Sequence, residues 1–360
     1  MLVVRSLMSF ALLVGISIFP TAAFTQARGL VIPEDAANRL ALQGLAAEKY
    51  SALIFGLGAV PPKPKVACSA KDARFDLRTS GMVPPAGDQG PVCGSCWAFA
   101  SASAIETSYA FFNAPLLQAV NLSEQELLEC SKTAPIPAHQ AHLYNCTLGG
   151  FFDGPFEYAE QPGVLGDAAY VTANGKHGYQ GQDGPCVKKL PGARARVANW
   201  GPISSPYDVI ATTAAIKESL CAHGGVVTGI DTYNWPGYGF TGDIFIGEAS
   251  VGNKPTFHVV TVNGKQVSTA HAVQIVGWDD TQTWTDSQGK TGRGVWLIKN
   301  SWGNWADNGV IKIPYNRQSV GAFAAWVSAS LKVTLQSLPI NAQAEFLNAR
   351  EQIRLVKTVA

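Results

Sequence analysis

Charge is scarce in this chain and almost cancels: 15% of its 360 residues are Asp, Glu, Lys or Arg, 27 basic against 26 acidic. No stripe of Lys and Arg is present, which excludes the phosphate-neutralising surface that nucleic-acid binding requires. No fixed-period repeat appears, so solenoids and propellers are excluded as well. Beyond the first two dozen residues no apolar run reaches the roughly 20 residues that a bilayer demands, so no stable membrane insertion is expected. Cys93 and Cys96 form a Cys-x-x-Cys pair. No second ligand pair at zinc spacing follows it and no thioredoxin-like βαβ setting surrounds it, so neither a metal nor a redox role is expected.

What is present begins with an export signal. Arg5 supplies the positive end, Leu7 to Phe19 an apolar stretch of about 13 residues, and Thr21-Ala22-Ala23 the small residues of a cleavage site. Residues 1–23 are therefore expected to be removed, and the chain to work in an exported compartment: extracellular, periplasmic or lysosome-like. Seven cysteines suit that address. An odd number outside the cytosol implies pairs plus one thiol kept free, and the pairs of six cysteines can be drawn in about 15 ways.

The apolar share, 47%, is that of a globular protein. Pro33 to Phe55 has a helix-like pattern with Leu40, Leu42, Leu45, Tyr50 and Leu53, and a stiff Pro61-Pro62-Lys63-Pro64-Lys65 linker follows. A second helix is expected from Ser95 or Cys96 through Tyr109, with Ser95 as N-cap. A third should start after Ser123, where Ser123 and Glu126 make a capping-box pattern. Later runs, His271 to Trp278, Gly294 to Lys299 and Gly309 to Ile313, are β-branched and aromatic and read as strands. Helices first and strands later give an α+β protein with two lobes.

The richest stretch runs from Asp88 to Phe99. Cys96 falls in the first turn of a helix, where free N–H groups and the dipole favour a thiolate. Such a thiol has a lowered pKa and is a nucleophile near neutral pH. The same N–H groups, with the Gln89 amide close upstream, can bind an oxyanion.

Cys93-Gly94-Ser95-Cys96-Trp97, with Phe75-Asp76-Leu77-Arg78 and Asp88-Gln89-Gly90 before it, resembles the papain-like cysteine proteases. The resemblance covers roughly residues 75 to 314. It implies a papain-like α+β fold with a helical lobe, an antiparallel β-barrel-like lobe and a cleft between them. It also implies peptide-bond hydrolysis through a Cys96 thioester, with Gln89 and the Cys96 N–H as oxyanion hole. His271, which opens its strand, corresponds to the family's acid–base imidazole. Asn300, ending the strand in Lys299-Asn300-Ser301-Trp302-Gly303, corresponds to the amide that orients that ring, with Trp302 covering the bond. His271 lies 175 residues after Cys96 and Asn300 204, against about 130–150 in the family signature, so insertions are required. One is residues 279–293, polar and turn-rich like a surface loop.

Further blocks carry the likeness. Leu122 to Cys130 resembles a second family block, and Cys146 to Gly150 its glycine turn, whose backbone pairs with extended substrate; Gly149, Gly150 and Trp302 are thus substrate-binding candidates. The resemblance implies bridges Cys93–Cys146 and Cys130–Cys186. Cys68 and Cys221 are left over, and their pairing is only an argument by remainder. Three departures stand out: one additional residue between Gly90 and Cys93, Ala270 before the histidine where Asn or Asp is usual, and a segment one residue short after Trp302. His139 and His142 sit in an enlarged loop, read as solvated. Asn121 and Asn145 match the glycosylation pattern and are read as incidental.

The expected division is a signal peptide at 1–23, a candidate pro-segment and Pro-rich linker at 24–67, and a catalytic domain at 68–314. Within that domain the helical lobe spans about 76–190 and the β lobe about 191–314, and a tail follows at 315–360 whose end is helix-like. The pro-segment lacks the long helical propeptide signature of the cathepsin L group. No metal or organic cofactor is needed. Expected partners are peptide or protein substrates and proteinaceous inhibitors. Two other readings use the same residues differently: a transpeptidase or ligase passing the acyl group to an amine, and a catalytically silent binding homologue.

Overall fold

The structure, a computed structural model, describes residues 29–33, 35–56, 63–113, 120–134, 143–188, 190–192, 194–204, 206–235, 244–262 and 265–329. The expected signal peptide, His139, His142 and the helix-like end of the tail lie outside the described residues.

Helix α1 (Ala36–Gly56) is the one read from the pattern at 33–55, and a short strand β1 (Arg74–Asp76) follows the linker. The helical lobe then forms around α2 (Cys96–Asn113), α3 (Glu124–Cys130) and α4 (Asp153–Glu160), with a two-stranded ribbon of β2 (Val164–Leu165) and β3 (Arg194–Ala195). Helix α2 is buried on nearly every side. Its Ala and Ser positions let neighbouring elements approach closely, and an all-round buried helix is a core helix. Its Cys96 end joins the apolar cluster beside the cleft and its Phe111 and Phe112 end joins the cluster under the main sheet, so α2 is common to both lobes.

Helix α3 starts as expected, with Ser123 accepting from Glu126 N at 3.1 Å. The other half of the capping box does not form. Glu126 is fully buried and is used by Tyr158 (2.8 Å), Leu165 N (2.7 Å) and Arg194 (2.6 Å), while Ser123 N donates to Leu165 O instead. A buried carboxylate takes the partners that neutralise it best, and a guanidinium outranks a backbone amide.

The second lobe comprises β4 (Asn199–Pro202), α5 (Thr213–His223), β5 (Gly225–Asp231), the hairpin β6 (Val259–Val262) with β7 (Lys265–Ser268), β8 (Ala270–Thr285), β9 (Thr291–Lys299), β10 (Val310–Pro314) and β11 (Ala322–Ser328). The main sheet is antiparallel in the order β10-β9-β8-β5-β11-β4, with β1 added beside β8. The expected barrel-like closure does not occur among the described residues: the sheet is open. Its outer strands are short, and α1 covers β4 through Gln43 Nε2 to Trp200 O (2.5 Å) and Asn199 Nδ2 to Ala47 O (3.2 Å). Covering an edge removes the need to close the sheet.

Two other expectations change. Residues 279–293 do not form a plain loop; β8 and β9 continue as a long hairpin paired through Thr283–Arg293, Trp284–Gly292 and Thr285–Thr291. The sheet also continues past Pro314, because β11 lies between β5 and β4. Three disulfides close the fold: Cys93–Cys146 and Cys130–Cys186, as the resemblance implied, and the remaining pair Cys68–Cys221. Among the described residues no helix is long and apolar enough to cross a membrane.

Candidate active site

Cys96 opens α2 and is the free cysteine, with no solvent exposure. Ser95, expected as a hydroxyl cap, spends its Oγ on Tyr179 OH at 2.5 Å. The sulfur is met from β8 by the Ala272 N–H at 3.4 Å, and the amides of Gly29, Trp97 and Cys96 itself also donate to it. Burial nevertheless dominates and pushes the thiol up to about 12, the opposite of the lowering expected from its helix position alone. A thiolate sealed from water loses more in hydration than four amide contacts return.

His271 lies in β8 opposite Ile230 of β5 and is fully buried. Its Nε2 donates to Asn300 Oδ1 at 2.8 Å. The Ser301 backbone N–H donates to the same oxygen at 2.8 Å, which fixes Oδ1 as the acceptor end of the Asn300 amide. Trp302 covers the pair, its ring centroid 5.2 Å from the imidazole. Trp235 stands 6.4 Å from the imidazole on another side and stacks on Trp305 at 5.4 Å. This aromatic wall keeps the histidine–asparagine bond dry and strong.

Gln89 is 1% exposed and is gripped by Ser301. Its backbone N–H donates to Ser301 O (2.9 Å) and its Oε1 accepts from Ser301 Oγ (2.5 Å), so Nε2 turns toward the start of α2, 3.2 Å from Cys93 O. Val92, in the stretch between Gly90 and Cys93, projects into solvent.

The glycine turn carries an extended strand of the chain itself. Gly150 N donates to Gly29 O (2.8 Å) and Val31 N to Gly150 O (3.0 Å), a parallel pairing centred on Leu30. Gly149 has φ +85°, and a Cβ there would lie 2.1 Å from Gly29 O, so glycine is required for this approach. Leu30 is buried in a cluster with Phe151, Phe323, Ala270 and Ala272. From Pro33 the chain passes into α1, anchored by the Arg39–Asp153 ion pair. Residues 29–33 therefore lie in the cleft over Cys96.

All sequence-predicted site residues come together here: Cys96, His271, Asn300, Gln89, Gly149, Gly150 and Trp302. The sequence reading missed Ser301 as the clamp on Gln89, Trp235 as a wall and Gly29 to Val31 as cleft occupants. Ser301 lies inside a block already singled out, whereas Trp235 sits in a turn-rich stretch without a pattern. Among the described residues no group of three or more His, Cys, Asp or Glu is placed to hold a metal ion.

Comparisons with known proteins bear on the family and the fold. The family described as papain family cysteine protease matches residues 72–330. Cathepsin J of Mus musculus is 31% identical over 240 residues, 66% of this chain and 59% of that protein. Digestive cysteine proteinase 3 of Homarus americanus is 27% identical over 249 residues, 69% of this chain and 63% of that protein. The chain thus spans about three fifths of the length of the curated relatives it matches. Among solved structures, the digestive procathepsin L2 proteinase from Tenebrio molitor larval midgut shares the fold, with a TM-score of 0.53 at 24% identity over 86% of this chain and 81% of that one. With the family match covering residues 72–330, well over half of the chain, the chain belongs to the papain family of cysteine proteases.

Proposed function

We propose that this chain is a cysteine peptidase that cleaves peptide bonds through a thioester on Cys96. The observation that carries the reading is the His271 Nε2 to Asn300 Oδ1 bond of 2.8 Å beside a sulfur that the next residue on β8, Ala272, reaches through its amide. With Nε2 committed to Asn300, Nδ1 is the ring nitrogen that takes the Cys96 proton. The sulfur then adds to the peptide carbonyl, and the oxyanion is met by Gln89 Nε2 and the Cys96 N–H. His271 returns the proton to the leaving amine, and a water deprotonated by the same ring hydrolyses the thioester.

The substrate is an extended peptide lying on Gly150, as Leu30 and its neighbours do. Its principal side chain enters the pocket filled by Leu30. A Cβ at Gly229 would come within 2.9 Å of Leu30 Cδ2, so the missing side chain there leaves room for a bulky apolar group. The segment 29–33 makes the described form a latent one. The export signal and three disulfides favour an exported compartment for its work.

Replacing Cys96 by Ala and treating the wild type with an epoxide thiol reagent tests the reading. Turnover should vanish in the variant, and the reagent should label Cys96 in the chain freed of residues 24–67. Undiminished turnover in Cys96→Ala would rule the mechanism out. Adding an amine acceptor and weighing the products separates hydrolysis from acyl transfer.

A further inference from the structure

Gly229 lies inside β5, between Ala272 of β8 and Ala322 of β11. Glycine weakens the interior of a strand and marks a place where another group comes close. The groups that come close here are Leu30 and Phe257. A Cβ at Gly229 would lie 2.9 Å from Leu30 Cδ2 and 3.6 Å from Phe257 Cζ, so the leucine tip and the ring tip both border the place a methyl group would take. Phe257 also packs against the cluster that holds Leu30, Phe151, Phe323 and Ala270. It is thus a wall of the pocket that Leu30 fills.

The ring reaches this place from outside the main sheet. Phe257 belongs to the connection between β5 and β8, just ahead of the β6–β7 hairpin. Connections vary while the frame they join stays fixed, so a side chain lent by one can set selectivity without disturbing the sheet. It can set a size only if its backbone is held, and both neighbours of Phe257 are fastened. Thr256 N donates to Ser319 Oγ (3.0 Å), and Ser319 Oγ donates to Thr256 O (2.9 Å). On the other side His258 Nδ1 donates to Asp231 Oδ2 (2.5 Å), and Thr269 N donates to His258 O (2.8 Å).

Asp231 makes that second fastening firm. It ends β5, is 3% exposed, and accepts from Tyr233 N (3.2 Å) and Thr269 Oγ1 as well as from His258. A buried carboxylate with three donors is satisfied and stays in place. Tyr233 stacks on the His258 ring with centroids 4.1 Å apart, which fixes the plane of the imidazole.

We propose that Phe257 limits the Leu30 pocket to aliphatic side chains of leucine size, and that His258, held by Asp231, is the positioning residue that keeps the ring there. The proposal deepens the peptidase reading and rests on it for one point, that a substrate side chain enters where Leu30 lies. Peptides with leucine, isoleucine or valine at that position are accepted. Those with phenylalanine, tyrosine or tryptophan are rejected, because a second ring would have to displace Phe257.

The test places the larger side chain in the full chain itself, where Cys96 is the free cysteine. Leu30→Phe overfills the pocket, residues 29–33 lift from Cys96, and its alkylation by iodoacetamide at pH 7 should rise at least about tenfold over the wild type. In a Phe257→Ala background the same change at Leu30 should raise it less than about twofold, since the new ring takes the vacated space. Phe257→Leu is a milder cut with an effect of the same sign, and keeps the test open if Phe257→Ala fails to fold. His258→Ala should act like Phe257→Ala although the ring is retained. His258→Asn, whose Nδ2 can stand where Nδ1 stood, should restore the tenfold rise. In the activated enzyme, with two peptides that differ only at this side chain, leucine should be favoured over phenylalanine about tenfold or more in kcat/KM, and Phe257→Ala should cancel the preference.

The proposal is overturned if Leu30→Phe leaves alkylation unchanged, if it raises alkylation equally in the Phe257→Ala background, or if both proteins show the same cleavage preference. The part given to His258 is overturned if His258→Ala keeps the tenfold rise. Iodoacetamide needs only a thiol, so a chain that cleaves no peptide would still give the alkylation result, and this proposal and the peptidase reading fail separately.

Discussion

The Ser301 hydroxyl donates to Gln89 Oε1 at 2.5 Å, and this bond decides which end of the Gln89 amide faces the nucleophile helix. An amide free to flip would present its oxygen to a developing oxyanion half the time. The proposed oxyanion hole therefore depends on a residue that never touches the substrate.

Ser301→Ala should lower kcat about fivefold with little change in KM, the effect of losing one orienting hydrogen bond worth about 1 kcal/mol. Gln89→Ala should lower kcat by about a hundredfold, the loss of an oxyanion donor. Steady-state kinetics on a peptide substrate checks both. Combined, the two changes should cost no more than Gln89→Ala alone, since Ser301 acts through Gln89. Additive losses would mean that Ser301 has a separate role.

The thiol chemistry should depend on residues 29–33. With the segment in place Cys96 is fully buried and its pKa is pushed up to about 12, so near neutral pH the sulfur is protonated and unreactive. Removing residues 24–67 admits water, relieves the largest cause of the shift and leaves the helix amides to favour the thiolate. Alkylation of Cys96 by iodoacetamide at pH 7 should then rise by roughly a hundredfold or more. Equal alkylation rates in the intact and shortened chains would show that the segment does not cover the sulfur in solution.

These relationships were legible in the sequence to different depths. Cys96 is readable because a helix start and a nucleophile are both local features, and His271 and Asn300 because each ends or opens a β-branched strand. The hairpin across 279–293 was not readable: its Thr, Gln and Asp residues look like a loop, and only the partner strand shows Thr281, Thr283 and Thr285 to be strand positions. β11 was missed because its sequence, Ala-Phe-Ala-Ala-Trp-Val-Ser, is short and alanine-rich, and its place between β5 and β4 is a tertiary choice. Barrel closure failed for a similar reason, since the cover over β4 comes from α1, far away in sequence. The cluster that Glu106 of α2, Glu124 of α3 and Lys299 of β9 form could not be seen at all. Each is an ordinary charged residue until three distant elements meet.

That cluster makes stability depend on pH. Glu106 and Glu124 have folded-state pKa values raised to about 8 and about 7. Their contribution is fully present below the unfolded carboxylate pKa, roughly 4.3, and is lost as pH rises through the folded values, because the native state then binds more protons than the unfolded one. The urea midpoint should fall between pH 5 and pH 8. In Glu106→Gln, which keeps an oxygen for the Leu122 N–H, the midpoint should match the wild type at pH 5 and exceed it at pH 8. A parallel fall in both proteins would place the pH dependence elsewhere.

The Cys68–Cys221 bridge joins the segment before β1 to α5 across a separation of 153 residues. A long closed loop removes much of the freedom of the unfolded chain, so the double variant Cys68→Ala, Cys221→Ala should lose about 2–4 kcal/mol of stability. Neither cysteine belongs to the cleft; Cys68 and Cys221 pack beside the cluster under the sheet, with Leu220 and Ile216 of α5 in that core. At temperatures where it stays folded, the variant should therefore keep its kcat while its urea midpoint falls. If kcat drops with stability unchanged, the bridge acts on the cleft and not on the unfolded state.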